Sequence, residues 1–253
     1  MQSFEIVAHR GVATEYPENT IPAFQKAIKL GADAVELDVR LTKDKIPVIF
    51  HYYYLDEITS LTGTIFNYTY EQLRLAKFKN AQNGFDSQKI PTLVEVLETI
   101  GGKIGLEIEI KGPEPESVTI IGDILQNFQN LWGTIEVTSY NITLLLNIKD
   151  QCPGIITDML YPRSESWMNL DVVAYQAANL ARLARVRAVH LHPSQLSDEV
   201  VDYVRRSGIE IHAWDVNDEP ALQKIIEYNI PRICTDQFEL AVNFRNRILY
   251  EFS

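Results

Sequence analysis

The sequence has no apolar run approaching the roughly 18 residues that a membrane-spanning helix requires, and so predicts no membrane span. Its N-terminus lacks the basic-then-apolar pattern of a secretory signal. Residues 1–7 enter a strand-like run directly, and a cytoplasmic location is the expectation. Cysteine is scarce: Cys152 and Cys234 match no metal-binding or redox spacing, and two cysteines do not make a disulfide scaffold. Both are expected to be small buried side chains in a reducing compartment. Positive charge is also in short supply, with 23 Lys and Arg against 34 Asp and Glu and a net charge of −11. Polyanions gain little from such a surface, which argues against nucleic acid and anionic membranes as partners. A small phosphate-bearing substrate remains compatible if a bound cation makes the local field positive. No Gly-x-Gly-x-x-Gly follows a strand-like segment, no fixed-period repeat is present, and no segment is of low complexity, so the dinucleotide-binding and solenoid classes lose their main signatures.

What the chain does contain is alternation. Short β-branched runs at Ile6–His9, Ala34–Val39, Val48–His51, Ile104–Ile110, Ile135–Thr138, Ile155–Leu160, Ala188–Leu191, Glu210–Val216 and Ile233–Thr235 read as strands. Helical patterns lie between most of them, at Asn19–Leu30, Pro91–Ile100, Glu116–Phe128, Ile142–Lys149, Ser197–Ser207 and Glu219–Tyr228. Strands and helices in alternation predict parallel βαβ units, and 253 residues suit a single (β/α)8 TIM barrel spanning the whole chain. Nine strand candidates exceed the eight that a barrel needs, so one of them is misplaced. The 12 residues between Asp38 and His51 leave no room for a crossover helix. If both residues sit at one barrel end, the chain is expected to run down and back up in extended form. Residues 56–89, with turn-like Thr62-Gly63-Thr64 and Asn83-Gly84, read as a small insertion after the third strand.

Chemistry-bearing residues gather at predicted strand ends. The first strand ends in His9-Arg10-Gly11, the third in His51. Glu36 and Asp38 share one face of the second strand, and Glu107 and Glu109 one face of the fourth, which runs on to Lys111. Val35, Leu37 and Val39 supply the apolar, helix-facing side of the second strand, as Leu106, Ile108 and Ile110 do for the fourth. The carboxylates are left pointing into the barrel, where charge rarely sits without a metal or a partner. Three carboxylates and water suit a hard cation such as Mg2+ or Ca2+. With Arg10 and Lys111 that cation would bind and polarise a phosphate, and two histidines can act as general base and general acid near neutral pH.

These residues also carry a family resemblance. The sequence resembles the glycerophosphodiester phosphodiesterases through His-Arg-Gly at 9–11, Pro-Glu-Asn-Thr at 17–20, Gly-Ala-Asp-Ala-Val-Glu-Leu-Asp-Val at 31–39 and Thr-Lys-Asp at 42–44. Val48–His51, Ile-Pro-Thr-Leu at 90–93, Ile108–Lys111, Ser139–Asn141, Trp214–Asn217 and Thr235-Asp236 continue it in family order. The resemblance implies a barrel with a small insertion and a divalent metal on Glu36, Asp38 and Glu109. It implies acid–base chemistry by His9 and His51, phosphate contacts from Arg10 and Lys111, and Trp214 lining the mouth. The implied activity is metal-dependent hydrolysis of glycerophosphodiesters such as glycerophosphocholine to glycerol 3-phosphate and an alcohol, with His51 as acid and His9 as base. The substrate is then a small-molecule phosphodiester, and the sequence is compatible with a homo-oligomer. Two rivals stay open: a phospholipase D-like lyase that stops at a cyclic phosphate, and a non-catalytic barrel that binds phosphodiesters. Three departures from the family pattern bear on specificity. Tyr52-Tyr53-Tyr54 follows His51 where an Asp is usual, Glu57 stands in place of an Arg, and Gln237-Phe238 replaces a Pro after Asp236. The tyrosines either hold a quaternary ammonium on their faces or pack the insertion against the rim.

Overall fold

Eight parallel strands close on one another, their outward faces apolar and their inward faces mixing charged side chains with a small apolar cluster of Val7, Ala34 and Cys234. The computed structural model describes residues 3–79, 88–165 and 167–251. In chain order the strands are β1 (Glu5–Ala8), β2 (Ala34–Leu41), β3 (Pro47–Ile49), β4 (Gly105–Ile110), β5 (Ile135–Ser139), β6 (Ile156–Leu160), β7 (Ala188–Leu191), β8 (Glu210–Ala213) and β9 (Arg232–Thr235). The hydrogen-bonded order β1-β9-β8-β7-β6-β5-β4-β2 returns to β1 through a β1–β2 pairing, which makes a closed (β/α)8 barrel.

The surplus strand is β3. It pairs antiparallel with β2, Val39 opposite Ile49 and Leu41 opposite Pro47, and takes no place in the barrel. The expected down-and-up excursion is therefore corrected. β2 runs past the barrel top to Leu41, turns at residues 42–46 with Lys45 in a left-handed conformation (φ 63°), and β3 descends to deliver His51 beside Asp38. Five residues of turn accomplish what a longer crossover would, because an antiparallel pair needs only a hairpin.

Helices α1 (Ile21–Lys29), α3 (Leu93–Ile100), α4 (Glu116–Asn127), α5 (Ile142–Gln151), α6 (Leu170–Leu183), α7 (Asp198–Arg206), α8 (Glu219–Glu227) and α9 (Phe238–Glu251) accompany the barrel strands, and the short α2 (Tyr70–Leu73) lies among residues 55–79. Helix α6 escapes the sequence reading. Its core stripe, Val173, Ala174, Ala177, Ala178 and Ala181, keeps helical spacing, but alanine makes the hydrophobic contrast shallow. The outward side chains of the strands and the inward stripes of the helices form one apolar layer, including Val35, Leu37, Val39, Leu106, Ile108 and Ile110. A second cluster of Val48, Phe50, Leu55, Ile65, Leu73, Ala76, Phe78 and Ile90 lies under residues 55–79. Asn83 and Gly84 lie outside the described residues.

Candidate active site at the barrel mouth

The C-terminal ends of β1, β2, β4, β8 and β9, joined by the end of β3, surround a cavity of about 340 Å3. Its lining includes His9, Arg10, Glu36, His51, Glu109, Lys111 and Trp214, together with Asp236, Tyr140 and Cys234. Asp38, fully buried, sits beneath and is reached by both cations: Lys111 Nζ lies 3.2 Å and Arg10 Nε 3.3 Å from its carboxylate. All eight sequence-selected residues thus meet at one end of the barrel.

The local backbone explains why this sequence builds such a site. After β1 the chain turns sharply through Arg10 and Gly11, both left-handed (φ 54° and 80°). A Cβ on Gly11 would meet the Ala23 carbonyl carbon at 2.7 Å, so only glycine fits there. The turn aims the Arg10 backbone N–H at Glu36 (3.0 Å) and its guanidinium at Asp38 and Glu18. Asn19, also left-handed (φ 58°), donates to Asp38 Oδ2 at 2.7 Å while its own carbonyl accepts from the Asp38 N–H.

Electrostatically the site is unfinished. Burial, with Asp38 and Glu109 close by, pushes the Glu36 carboxyl well up. Burial also pushes Glu109 up, against Lys111. Burial would raise Asp38 too, but Lys111 and Arg10 outweigh it and hold that carboxyl at about 2. Glu36 Oε1 and Asp38 Oδ1 are buried with no hydrogen-bond partner, and oxygens of Glu36, Asp38 and Glu109 lie within 4.8 Å of one another. Three carboxylates converging at that spacing, with Lys111 the cation shared by Asp38 and Glu109, fit a hard divalent cation, which prefers oxygen donors.

The two histidines differ. His9 Nδ1 is 2.6 Å from Asp236, leaving Nε2 turned toward Glu36 at 3.8 Å. Asp236 is itself held by Asn217, whose carbonyl accepts the Asp236 N–H at 2.8 Å. His51 has no such partner: its Nδ1 is buried and unbonded, in keeping with Tyr52 standing where an Asp is usual. Burial, and the nearby Lys111 and Arg10, hold the His51 imidazolium down at about 3, despite Asp38. Sequence reasoning assigns no role to Asp236, Asn217 or Asn19. The available signal was register: β1 and β9 pair with Ala8 opposite Thr235, so the next residues, His9 and Asp236, must adjoin.

Arg40 lies 3.9 Å over the Tyr53 ring and Arg10 5.8 Å over Tyr52, so one face of each of these rings already holds a guanidinium of the protein's own. Tyr52 also packs on the second apolar cluster. Trp214 is fixed by its indole N–H to the Tyr161 carbonyl at 3.2 Å and by the His192 ring at 5.4 Å.

By fold and donor set the chain is a phosphoric diester hydrolase of the (β/α)8-barrel class. Residues 9–240 match the model of the glycerophosphoryl diester phosphodiesterase family. A glycerophosphodiester phosphodiesterase of Caldanaerobacter subterraneus subsp. tengcongensis is 32% identical over 94% of this chain and 96% of its own. Among solved structures, a glycerophosphodiester phosphodiesterase from Thermotoga maritima superposes with a TM-score of 0.74 at 27% identity, covering 96% of this chain and 99% of that one. A phosphodiesterase of Oleispira antarctica, solved in complex with the product sn-glycerol-3-phosphate, shares the fold with a TM-score of 0.83 at 24% identity, over 96% and 97% of the two chains. The chain belongs to the glycerophosphoryl diester phosphodiesterase family.

Proposed function

We propose that the protein hydrolyses glycerophosphodiesters to glycerol 3-phosphate and an alcohol, with a divalent cation of the Mg2+ or Ca2+ type held by Glu36, Asp38 and Glu109. The observation that carries the reading is the convergence of these three buried carboxylates, with Glu36 Oε1 unpartnered, at the cavity that both imidazoles and both cations also reach. A cation bound there supplies positive charge against the phosphoryl oxygens as negative charge builds on them. Lys111 and Arg10 add fixed positive charge on the same side, and Trp214 forms a wall for the substrate. The product named in the Oleispira antarctica complex has the chemistry expected of the retained half of the substrate.

His9 and His51 divide the proton transfers. Geometry favours the reverse of the assignment suggested by the sequence. Asp236 on Nδ1 fixes the His9 ring and directs Nε2 into the cavity, which suits an acid that protonates the leaving alkoxide. His51, at the end of β3 and without an orienting carboxylate, is left to take a proton from the attacking hydroxyl. That hydroxyl is water or the 2-hydroxyl of the substrate's own glycerol.

The test is a panel of glycerophosphodiesters assayed with Mg2+, Ca2+, Mn2+ and chelator, with products identified. Glycerol 3-phosphate released only with metal supports the proposal. A cyclic phosphate as end product would establish a lyase, and binding without turnover a non-catalytic barrel.

A further inference from the structure

The opposite end of the barrel holds a second polar cluster, which the proposed reaction does not use. Glu136 on β5, Asp158 on β6, His190 on β7 and His212 on β8 are all buried and offer ligand atoms within 4.8 Å of one another. Arg187, just before β7, and Arg232, at the start of β9, complete it. The cluster lies beneath the mouth cavity, toward the N-terminal ends of the strands: His190 Nδ1 is 3.5 Å from Glu107, which lines that cavity, and none of the four candidate ligands does.

The geometry of three of these atoms is specific. His190 Nε2 lies 3.4 Å from Asp158 Oδ2, His212 Nδ1 lies 3.6 Å from the same oxygen, and the two imidazole nitrogens are 3.1 Å apart. A tetrahedral ion with bonds of 2.0–2.1 Å places its ligands about 3.4 Å apart, so the three atoms approximate one face of such a tetrahedron. The circle through them has a radius of about 2 Å, so a point at bonding distance from all three lies just off their plane. Glu136 is the available fourth ligand, and its Oε1 is buried with no hydrogen-bond partner.

A cationic group already occupies part of this space. Arg187 Nη2 hydrogen-bonds Glu136 Oε2 at 2.7 Å and also contacts Asp158 Oδ2. Of the charged groups in the cluster Arg187 is the most exposed, its side chain 32% accessible, so its guanidinium has a route to water. Glu210, at 58% exposure on the neighbouring strand, can receive it there. Charge permits the exchange. Glu107, Glu136 and Asp158 face Arg187 and Arg232, and one proton shared within the cluster completes the balance. A dication replacing Arg187 and that proton leaves the total unchanged.

We infer that the barrel floor is a second metal site, for a borderline transition-metal dication of the zinc type, held by Glu136, Asp158, His190 and His212 and guarded by Arg187. Two nitrogen donors and tetrahedral spacing select such an ion over Mg2+ or Ca2+, which the all-oxygen mouth prefers. The proposal is independent of the activity assigned to the mouth.

Co2+ is the probe. After chelation, the full chain is titrated with Co2+, bound metal is counted by equilibrium dialysis, and geometry is read from visible absorption. Tetrahedral nitrogen-containing sites absorb intensely, octahedral oxygen sites weakly. An intensely absorbing site in addition to the weakly absorbing one is the expected result. His212→Gln should lower its affinity at least 100-fold, since even outer-shell replacements cost about 10–100-fold. Arg187→Ala should raise it, by about tenfold or more, because the competing guanidinium is gone; a purely structural ion network gains no metal from that substitution. Absence of the intense bands in both wild type and Arg187→Ala overturns the proposal, as does their survival unchanged in a folded His212→Gln. Zn2+ should displace the Co2+ and bleach the bands.

Discussion

The two ends of this barrel are built from nearly the same side chains and do opposite things with them. The mouth sets Glu36, Asp38 and Glu109 against Arg10 and Lys111, with His9 and His51 alongside. The floor sets Glu136 and Asp158, with Glu107 reaching up to line the mouth cavity, against Arg187 and Arg232, with His190 and His212. Composition does not separate them, and neither does pairing. Asp38 and Asp158 are both wholly buried against cations, and each end keeps carboxylate oxygens without hydrogen bonds, Glu36 Oε1 at the mouth and Glu136 Oε1 at the floor. Access separates them: the mouth groups line a cavity that a substrate can enter, whereas Asp158, His190 and His212 are closed in by their neighbours.

The sharpest test of that difference is a pair of aspartate replacements. Asp38→Ala should abolish turnover, a loss of about 10³-fold or more if the cation supplies several kcal/mol to the transition state, while the protein still folds. Asp158→Ala should do the reverse: it strands Arg187 and costs about 2–4 kcal/mol, below the penalty for a wholly buried pair because the guanidinium can reach water. Turnover of its folded fraction should stay near that of the wild type. Urea unfolding beside steady-state assays decides the matter. A folded, inactive Asp158→Ala would erase the distinction between mouth and floor.

Next in size are the histidines. His9→Ala and His51→Ala should each lower kcat by about 10²–10⁴ on a glycerophosphodiester. An aryl phosphodiester, whose leaving group needs no proton, separates their roles. With His9 as acid, His9→Ala keeps most of its aryl-ester activity while His51→Ala loses both. The opposite pattern returns the roles to the assignment first suggested by the sequence, and equal losses on both substrates would mean that the histidines only position phosphate or metal. Asp236→Asn should have a smaller effect, roughly 10–10² in kcat, by misaligning His9. Because Asp236 acts through His9, its loss should be much smaller on the aryl phosphodiester, which needs no proton from His9, whereas a merely structural role would lower both activities alike.

Much of the barrel and its mouth was legible in the sequence, for reasons specific to particular residues. Alternation of Val35, Leu37 and Val39 with Glu36 and Asp38 gives the inward face of β2 directly, because the side-chain period of a strand is two. The hairpin that carries His51 was not legible as such: spacing excludes a helix but does not choose between running down and running up. Asp236 stayed hidden because its partner His9 is 227 positions away, and only strand register joins them. The floor stayed hidden for a related reason. Each strand from β5 to β9 contributes one ordinary-looking polar residue, and no local pattern marks Glu136, Asp158 or His190 as members of one cluster. For the tyrosine run the sequence left two readings, and Tyr52 packing on the second apolar cluster follows the packing one; the arginines that take a face of Tyr52 and Tyr53 carry no local signal for it.

The smallest expected effect is a slope, and it probes whether the floor is held by protons as well as arginines. Burial, reinforced by Glu136 and opposed by His190 and Arg232, pushes the Glu107 carboxyl up to about 8. In the unfolded chain it titrates near 4.3. A group that binds its proton more tightly when folded contributes stability in full below the unfolded value, and loses it as pH rises through the folded one. Wild-type stability should therefore fall between about pH 5 and 8. His190 adds to that fall, since Glu107 and Asp158 outweigh burial and raise it. His212 is lowered, chiefly by burial, and so works in the opposite sense below about pH 6.5. Asp158 is depressed and has already delivered its contribution above about pH 4. The clean window is thus pH 7 to 8, where of the floor groups only Glu107 and His190 contribute; the raised Glu36 and Glu109 at the mouth act alike in both proteins and cancel in the comparison. Glu107→Gln removes the first and relaxes the second, so its unfolding free energy, measured by urea titration with chelator present, should change less over that interval than that of the wild type. An identical slope in the two proteins would mean that Glu107 is ionised in the native state and that the two guanidiniums neutralise the floor without help from a proton.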